Sequence, residues 1–127
     1  MNNKNGTDRL LIYIMEKSDL EEIRIFHNED STLLNLTDIN HISELQQEKW
    51  FSSLSLSNTS KRYTVRLRKN NNLVGIFRLD RIDHFNKSLY VGADVVHDLR
   101  RKGYGQEMYS YFFEYLFNNQ GFNRLGL

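Results

Sequence analysis

The order of patterns along the chain predicts an α+β domain: a strand, two helices, three strands joined by turns, a third helix and a last strand, β-α-α-β-β-β-α-β. Three observations carry the prediction. Two capping boxes, Ser18 with Glu21 and Ser43 with Gln46, open helices between the first β-rich run and the next. Between Tyr63 and Val96, three β-rich runs follow one another across polar turns. Beyond Val96, a turn dense in Arg, Lys and Gly leads straight into a long amphipathic helix.

The elements follow in order. Residues 1–8 are polar and expected to fray. Arg9 to Met15, R-L-L-I-Y-I-M, is the first strand. Ser18 and Glu21 open a helix through about His27, with Asp19, Glu21 and Glu22 placing negative charge on its first turn and Leu20, Ile23 and Phe26 facing inward. Glu29 to Asn40 scatters Leu among Asn, Asp, Ser and Thr and reads as a loop. The second helix runs from Ser43 to about Leu56, with Leu45, Trp50, Phe51 and Leu54 apolar and the Trp50-Phe51 pair read as core. Ser57 to Ser60 is a turn. Tyr63, Val65 and Leu67 then alternate with Arg62, Thr64, Arg66 and Arg68, a half-buried strand whose arginines read as a solvated sheet edge. Asn70, Asn71 and Asn72 tolerate left-handed geometry and close a hairpin onto Leu73 to Asp80. Arg81 to Lys87 makes a second turn, and Ser88 to Val96 is the central strand. The last helix, from about Tyr104 to Asn118, carries Met108, Phe112, Tyr115 and Leu116 on one face. Tyr109, Phe113 and Phe117 widen that stripe and are also read as core. Gly121 ends the helix, and Phe122 to Leu127 begins another β-like run.

At 127 residues the chain fits one domain spanning residues 1–127, large enough for a single core. A formal net charge of +1 gives no whole-molecule attraction to nucleic acid or to an anionic membrane. The absence of cysteine removes disulfides, thiolate metal sites and a Cys nucleophile, and is compatible with a reducing cytoplasm. No signal peptide or membrane span is expected, and the N-x-[ST] sequons at Asn5, Asn35, Asn58 and Asn86 are what an Asn-rich chain produces by accident. His27, His41, His84 and His97 lack metal-ligand spacing, so no metal is expected.

The chemistry concentrates where the central strand meets the last helix. At a helix start the first N–H groups lack intrahelical partners and the dipole adds partial positive charge, so a phosphate docks there readily. Gly103 and Gly105 let backbone amides approach an oxygen ligand closely. Met108 stands where a dinucleotide G-x-G-x-x-G needs its third glycine, and the P-loop G-K-[ST] occurs nowhere. What remains is R-x-x-G-x-G, carried by Arg100, Gly103 and Gly105.

A strand, R-x-x-G-x-G and a helix resemble the acetyl-CoA pyrophosphate loop of the GNAT superfamily of N-acetyltransferases. The wording D-V-V-H-D-L-R-R-K-G-Y-G-Q-E-M is similar to that superfamily's, as is V-G-I-F in the strand from Leu73. E-K-W-F in the second helix is similar to the branch that acetylates ribosomal-protein N-termini. The resemblance implies a mixed, largely antiparallel sheet flanked by helices, and acetyl-CoA as cosubstrate. It places the pyrophosphate on the amides of Arg101, Lys102, Gly103, Tyr104, Gly105 and Gln106, with Arg100 and Lys102 adding charge. It places the pantetheine arm along the central strand where that strand splays from its neighbour, at Val95, Val96 and His97. Arg101 stands where relatives usually carry Gly, so a positive φ there costs roughly 1 kcal/mol or more.

The implied reaction moves an acetyl group from the CoA thioester to a primary amine by direct attack, the amine belonging to a small molecule or to a protein N-terminus. Asp94 is the first candidate base and Glu107 the second; their plainer roles are a hydrogen-bonded strand residue and a charge compensating the helix dipole. The resemblance also implies a further strand, a helix and two more strands after residue 127, with an Asn that contacts the cofactor and a Tyr that acts as general acid. The chain as given is therefore expected to be C-terminally truncated, either a fragment or one that completes its sheet with another molecule, and to self-associate through an exposed C-terminal strand edge. The alternative function is a non-catalytic acyl-CoA-binding or interaction module keeping only the cofactor loop; a third is a small nucleic-acid-binding domain using L-R-R-K-G.

Overall fold

A computed structural model of the chain describes residues 5–33 and 43–126. One sheet runs through them in the order β1 (Asn5–Gly6), β2 (Leu10–Ile14), β3 (Lys61–Leu67), β4 (Leu73–Asp83), β5 (Ser88–Val95) and β6 (Arg124–Gly126). The first four pairings are antiparallel; β5 and β6 are parallel. Helix α3 (Tyr104–Glu114) covers one face, and α1 (Leu20–Leu33) and α2 (Glu44–Leu56) pack on the other. This is the α+β, largely antiparallel architecture expected.

On the α3 face, Leu10, Ile12, Val65, Leu67, Phe77, Leu79, Leu89 and Val91 meet Met108, Phe112 and Leu116 of the helix. The Phe77 and Phe112 rings stack at 4.0 Å and 5°. That contact fixes how α3 lies over β4. The opposite face is smaller: Met15, Leu20, Ile23 and Leu73, with Phe26, Phe51, Ile76 and Val96 against them. Two covered faces change how β3 reads. Its arginines do not form a solvated edge: β3 is internal, and Thr64 and Arg66 are buried beneath the start of α1.

Burying Arg66 demands partners, and it has a full set. Its Nε donates to the Tyr13 hydroxyl (2.8 Å), Nη1 to the Asn71 carbonyl (3.1 Å), and Nη2 lies 2.9 Å from both Asp19 Oδ1 and Glu22 Oε1. Asp19 in turn accepts from Tyr13 (2.8 Å), Thr64 (3.0 Å) and the Glu16 N–H (2.9 Å). Recruiting Asp19 inward moves the helix entry. The chain makes a 3-10 turn at Lys17–Asp19 before α1 begins at Leu20, and the capping box at this entry is Glu16 with Asp19, not the expected Ser18 with Glu21.

The second box is present as read: Gln46 N–H donates to Ser43 Oγ (3.1 Å) and Ser43 N–H to Gln46 Oε1 (3.0 Å). The inward face of α2 differs, however. Leu45 is exposed and Trp50 is 38% exposed with the Arg62 guanidinium 6.0 Å from its ring centre, while Gln47 is buried and donates to the Leu20 carbonyl (2.7 Å). Gln47 ties α2 to α1, a role that an apolar periodicity cannot show. Helix α1 continues past His27 into the expected loop, to Leu33; the rest of that loop, residues 34–40, and His41 lie outside the described residues. Residues 5–6 pair with β2 rather than fraying, and β4 runs on to Asp83 through a bulge where Arg81 takes φ +50°.

At its far end α3 opens into a wider π turn at Tyr115–Asn119, and Gly121 at φ +73° stops it. The Phe122 N–H reaches back to the Leu116 carbonyl (2.9 Å), closing the helix as a glycine stop does. No helix among the described residues is long and apolar enough to cross a membrane.

Candidate functional site

The site is assembled by β5, the turn after it and the first turn of α3. Strand β5 pairs with β4 along its length but with β6 only at Ser88, Leu89 and Tyr90. Those three pairs take up all of β6, and among the described residues the edge of β5 beyond Tyr90 has no strand partner. Alternation along a strand decides which backbone groups face that edge. The Val96 N–H donates to the Val74 carbonyl of the β4 side (2.8 Å), so even-numbered residues are spent on the sheet. Ala93 and Val95 therefore face the edge away from β4. Two side chains meet them there: the Tyr109 hydroxyl accepts from the Ala93 N–H (3.2 Å), and Arg100 Nε donates to the Val95 carbonyl (2.9 Å).

This corrects the expected pantetheine edge. The Val95 carbonyl lies on the edge away from β4, but the Val96 N–H is bonded to the Val74 carbonyl and is not available to a thioester oxygen. His97 belongs to a 3-10 turn (His97–Leu99), is exposed, and its carbonyl accepts the Arg100 N–H (3.2 Å). Ala93 replaces Val96 as the residue whose N–H lies on that edge.

The loop places two left-handed residues just before the helix start. Arg101 takes φ +64° and Gly103 φ +82°, so the strain expected at Arg101 is present. The first intrahelical bond of α3 is donated by the Glu107 N–H to the Gly103 carbonyl (3.0 Å), which leaves the Tyr104, Gly105 and Gln106 amides ahead of the helical ladder. Arg101, Lys102 and Gln106 are exposed, and Tyr104 is buried beneath Arg9, whose guanidinium lies 4.5 Å from its ring centre. Replacing Arg101 by glycine is expected to raise stability by about 0.5–1 kcal/mol, the relieved left-handed strain less the entropy that glycine adds to the unfolded chain. The urea midpoint measures this; an unchanged midpoint would show the loop to be unstrained.

Gly105 is the informative glycine. Its φ is not positive, and an added Cβ would meet only Val95 Cγ2 at an ordinary 3.8 Å. Nothing in the fold asks for glycine there, and in a helix it costs about 1 kcal/mol relative to Ala. Its missing side chain leaves the backbone of the helix start bare where it faces Val95 at the end of β5. An extended arm ending in a diphosphate fits that donor set: helix-start amides and basic side chains at one end, a strand edge at the other.

The two candidate carboxylates part company. Glu107 is held by Arg9, with Nε donating to Oε1 at 2.8 Å, and by the Thr7 hydroxyl. Arg9 also reaches the Lys102 carbonyl at 3.4 Å. Together they clasp the loop to the start of β2, and Glu107 has a structural task. Asp94 faces the α1/α2 side of the sheet, 42% exposed, with Oδ2 2.9 Å from Arg78 Nε in a charge contact that lacks hydrogen-bond alignment. Arg78 lies flat across β5 because Gly92 beneath it has no side chain; a Cβ there would sit 2.2 Å from Nη2.

Sequence reasoning did not single out Ala93, Arg9 or Tyr109. Ala93 follows from register parity, which needs the pairing; Arg9 was read only as a strand start, and Tyr109 as core. Clefts of about 440 Å³ beside Leu20, Phe51 and Leu56 and about 360 Å³ beside Arg9, Arg68 and Tyr104 lie apart from the β5 edge. Backbone geometry marks this site better than volume does.

A family model described as an acetyltransferase (GNAT) domain matches residues 9–127. No curated protein matches the chain. Among solved structures, a spermidine N-acetyltransferase chimera built from the Vibrio cholerae and hSSAT proteins superposes with TM-score 0.81 at 19% identity, covering 93% of this chain and 69% of that one. The Vibrio cholerae spermidine N-acetyltransferase in complex with CoA and spermine gives 0.80 at 18%, covering 94% and 70%. A Vibrio cholerae protein provisionally assigned as a ribosomal-protein-serine acetyltransferase gives 0.78 at 20%, covering 96% and 71%. At such identities the likeness is one of fold.

Proposed function

We propose, from the premise that this chain belongs to the GNAT family of acetyltransferases, that it transfers the acetyl group of acetyl-CoA to a primary amine by direct attack. As a member of that family it is an N-acetyltransferase. The observation that supports the finer reading is the helix start itself, where left-handed Arg101 and Gly103 lead into α3 and the Tyr104, Gly105 and Gln106 amides precede its hydrogen-bond ladder.

Bound acetyl-CoA supplies an acyl group already activated as a thioester. The chain supplies the rest. The Tyr104, Gly105 and Gln106 amides hold a diphosphate at the positive end of α3, with Arg101 and Lys102 adding charge. Val95 offers its carbonyl to the amide-bearing arm, with Arg100 released from it, and the Ala93 N–H, once the Tyr109 hydroxyl gives way, is the donor aimed at the thioester oxygen. Asp94, on the same strand but the other face, receives the surplus proton of the attacking amine through solvent. Glu107 takes no part in the chemistry and locks the loop through Arg9 and Thr7. The acceptor is an amine on a small molecule, as in the spermidine-acetylating neighbours, or a protein N-terminus.

CoA release measured against a panel of polyamines, amino sugars and peptides tests this reading. Turnover with at least one amine class is expected. Tight CoA binding without turnover on any of them would leave a binding module instead.

A further inference from the structure

The face of the sheet that carries Asp94 also carries an arginine with donors to spare. In the β4–β5 pairing Ile76 stands opposite Asp94 and Arg78 opposite Gly92, so both charged side chains rise from the face on which Ile76 packs against the α1/α2 side. The neighbouring β3 arginines are spent: Arg66 on Asp19 and Glu22, and Arg62 on Asp80 at 2.8 Å and the Lys61 carbonyl at 3.1 Å. Arg78 is not. Among the described residues its guanidinium makes one polar contact, Nε to Asp94 Oδ2 at 2.9 Å, which leaves Nη1 and Nη2 without an acceptor on a side chain 40% exposed. Gly92 lets that fork lie on β5. A planar fork with two idle donors matches a carboxylate, whose two oxygens accept from both at once.

We propose that the acceptor is a free α-amino acid, with Arg78 holding its carboxylate and Asp94 its amine, an inference that rests on the acetyl-transfer reading above. Asp94 stands in the chain between Ala93 and Val95, the residues whose backbone faces the edge away from β4, so an amine held there is beside the acyl group. The span decides the ligand. The two protein charges touch at 2.9 Å, and a molecule that meets both must carry its own charges equally close, as an amine and a carboxylate on one carbon do. A polyamine brings several positive charges and no negative one, so Arg78 repels it; a peptide N-terminus has an amide where the carboxylate is wanted. In the reaction the amine nitrogen bonds to the acyl carbon and the carbon–sulfur bond breaks. Of the two protons that the ammonium loses, one leaves to solvent through Asp94 and the other neutralises the CoA thiolate, giving an N-acetyl amino acid and CoA.

The test measures CoA release by the full chain with free amino acids, their carboxamides, spermidine and short peptides. Turnover is expected with at least one amino acid, its kcat/KM about 10²-fold above that of its own carboxamide and the difference lying mainly in KM. In Arg78→Gln that preference is expected to shrink to about one, and in Arg78→Lys, which keeps the charge without the fork, to fall in between. CoA affinity by calorimetry within about twofold of native certifies both variants as folded. Equal rates on acid and carboxamide, or turnover on spermidine or peptides alone, overturn the proposal while leaving acetyl transfer intact; so does an acid preference that survives in folded Arg78→Gln. A native chain that binds CoA but acetylates none of these amines removes the activity reading, and this proposal falls with it.

Discussion

Arg66→Leu is expected to destabilise the protein by about 3–5 kcal/mol, enough to unfold much of it, because it strands the Asp19 carboxylate in a dry interior. The two side chains are 7% and 3% exposed, so solvent screens little of the effect. Adding Asp19→Asn in the same chain is expected to recover more than half of the loss, since the uncompensated charge goes with it. Acid follows the same logic. Burial pushes the Asp19 carboxyl up, but the Glu16 N–H, Arg66, Tyr13 and Thr64 outweigh it and hold the group below its ordinary value. A folded-state pKa below the unfolded one contributes stability above the unfolded value, roughly pH 4, and loses it as pH falls through the folded value. Urea titrations from pH 7 down to pH 2 measure both. If Arg66→Leu unfolds at the native midpoint, the buried network is ornamental.

Gly105→Val is expected to lower CoA affinity by about 10²-fold, some 2.7 kcal/mol, while leaving the melting temperature unchanged or raised. The protein itself has room for a Cβ, 3.8 Å from Val95, whereas a diphosphate held on the amides of the helix start needs that backbone bare. Gly105→Ala gives the intermediate case: better helix, partly covered backbone, weaker binding. A variant that binds CoA as the native chain does would remove this helix start from the cofactor path, and with it the reason for a glycine at that position.

Much of this was legible in the residues. The Arg100, Gly103 and Gly105 spacing located the loop, and a left-handed Arg101 was anticipated at φ +64°. Ser43 and Gln46 marked α2 because a capping box is a local device that needs no tertiary partner. What failed was whatever depended on neighbours. Alternation in β3 implied one wet face, but a strand inside a sheet covered on both sides buries both, and Arg66 went inside with Asp19 recruited to meet it. The backbone that faces away from β4 belongs to Ala93 and Val95, not Val96, because pairing with β4 sets the parity, and no residue type encodes parity. Tyr109 was read as core and does pack against it, edge-on to Phe77, but a stripe gives a side chain's direction and not the address of its hydroxyl, which meets the Ala93 N–H.

The bare backbone at Gly92, over which Arg78 reclines, links two positions through inheritance. In any descendant that gains a side chain at 92, the guanidinium must lift away and Asp94 loses its companion. Lineages should therefore keep the glycine and the arginine together or abandon them together, and a chain that has lost one of the pair marks a branch where the polarity of this sheet face has drifted.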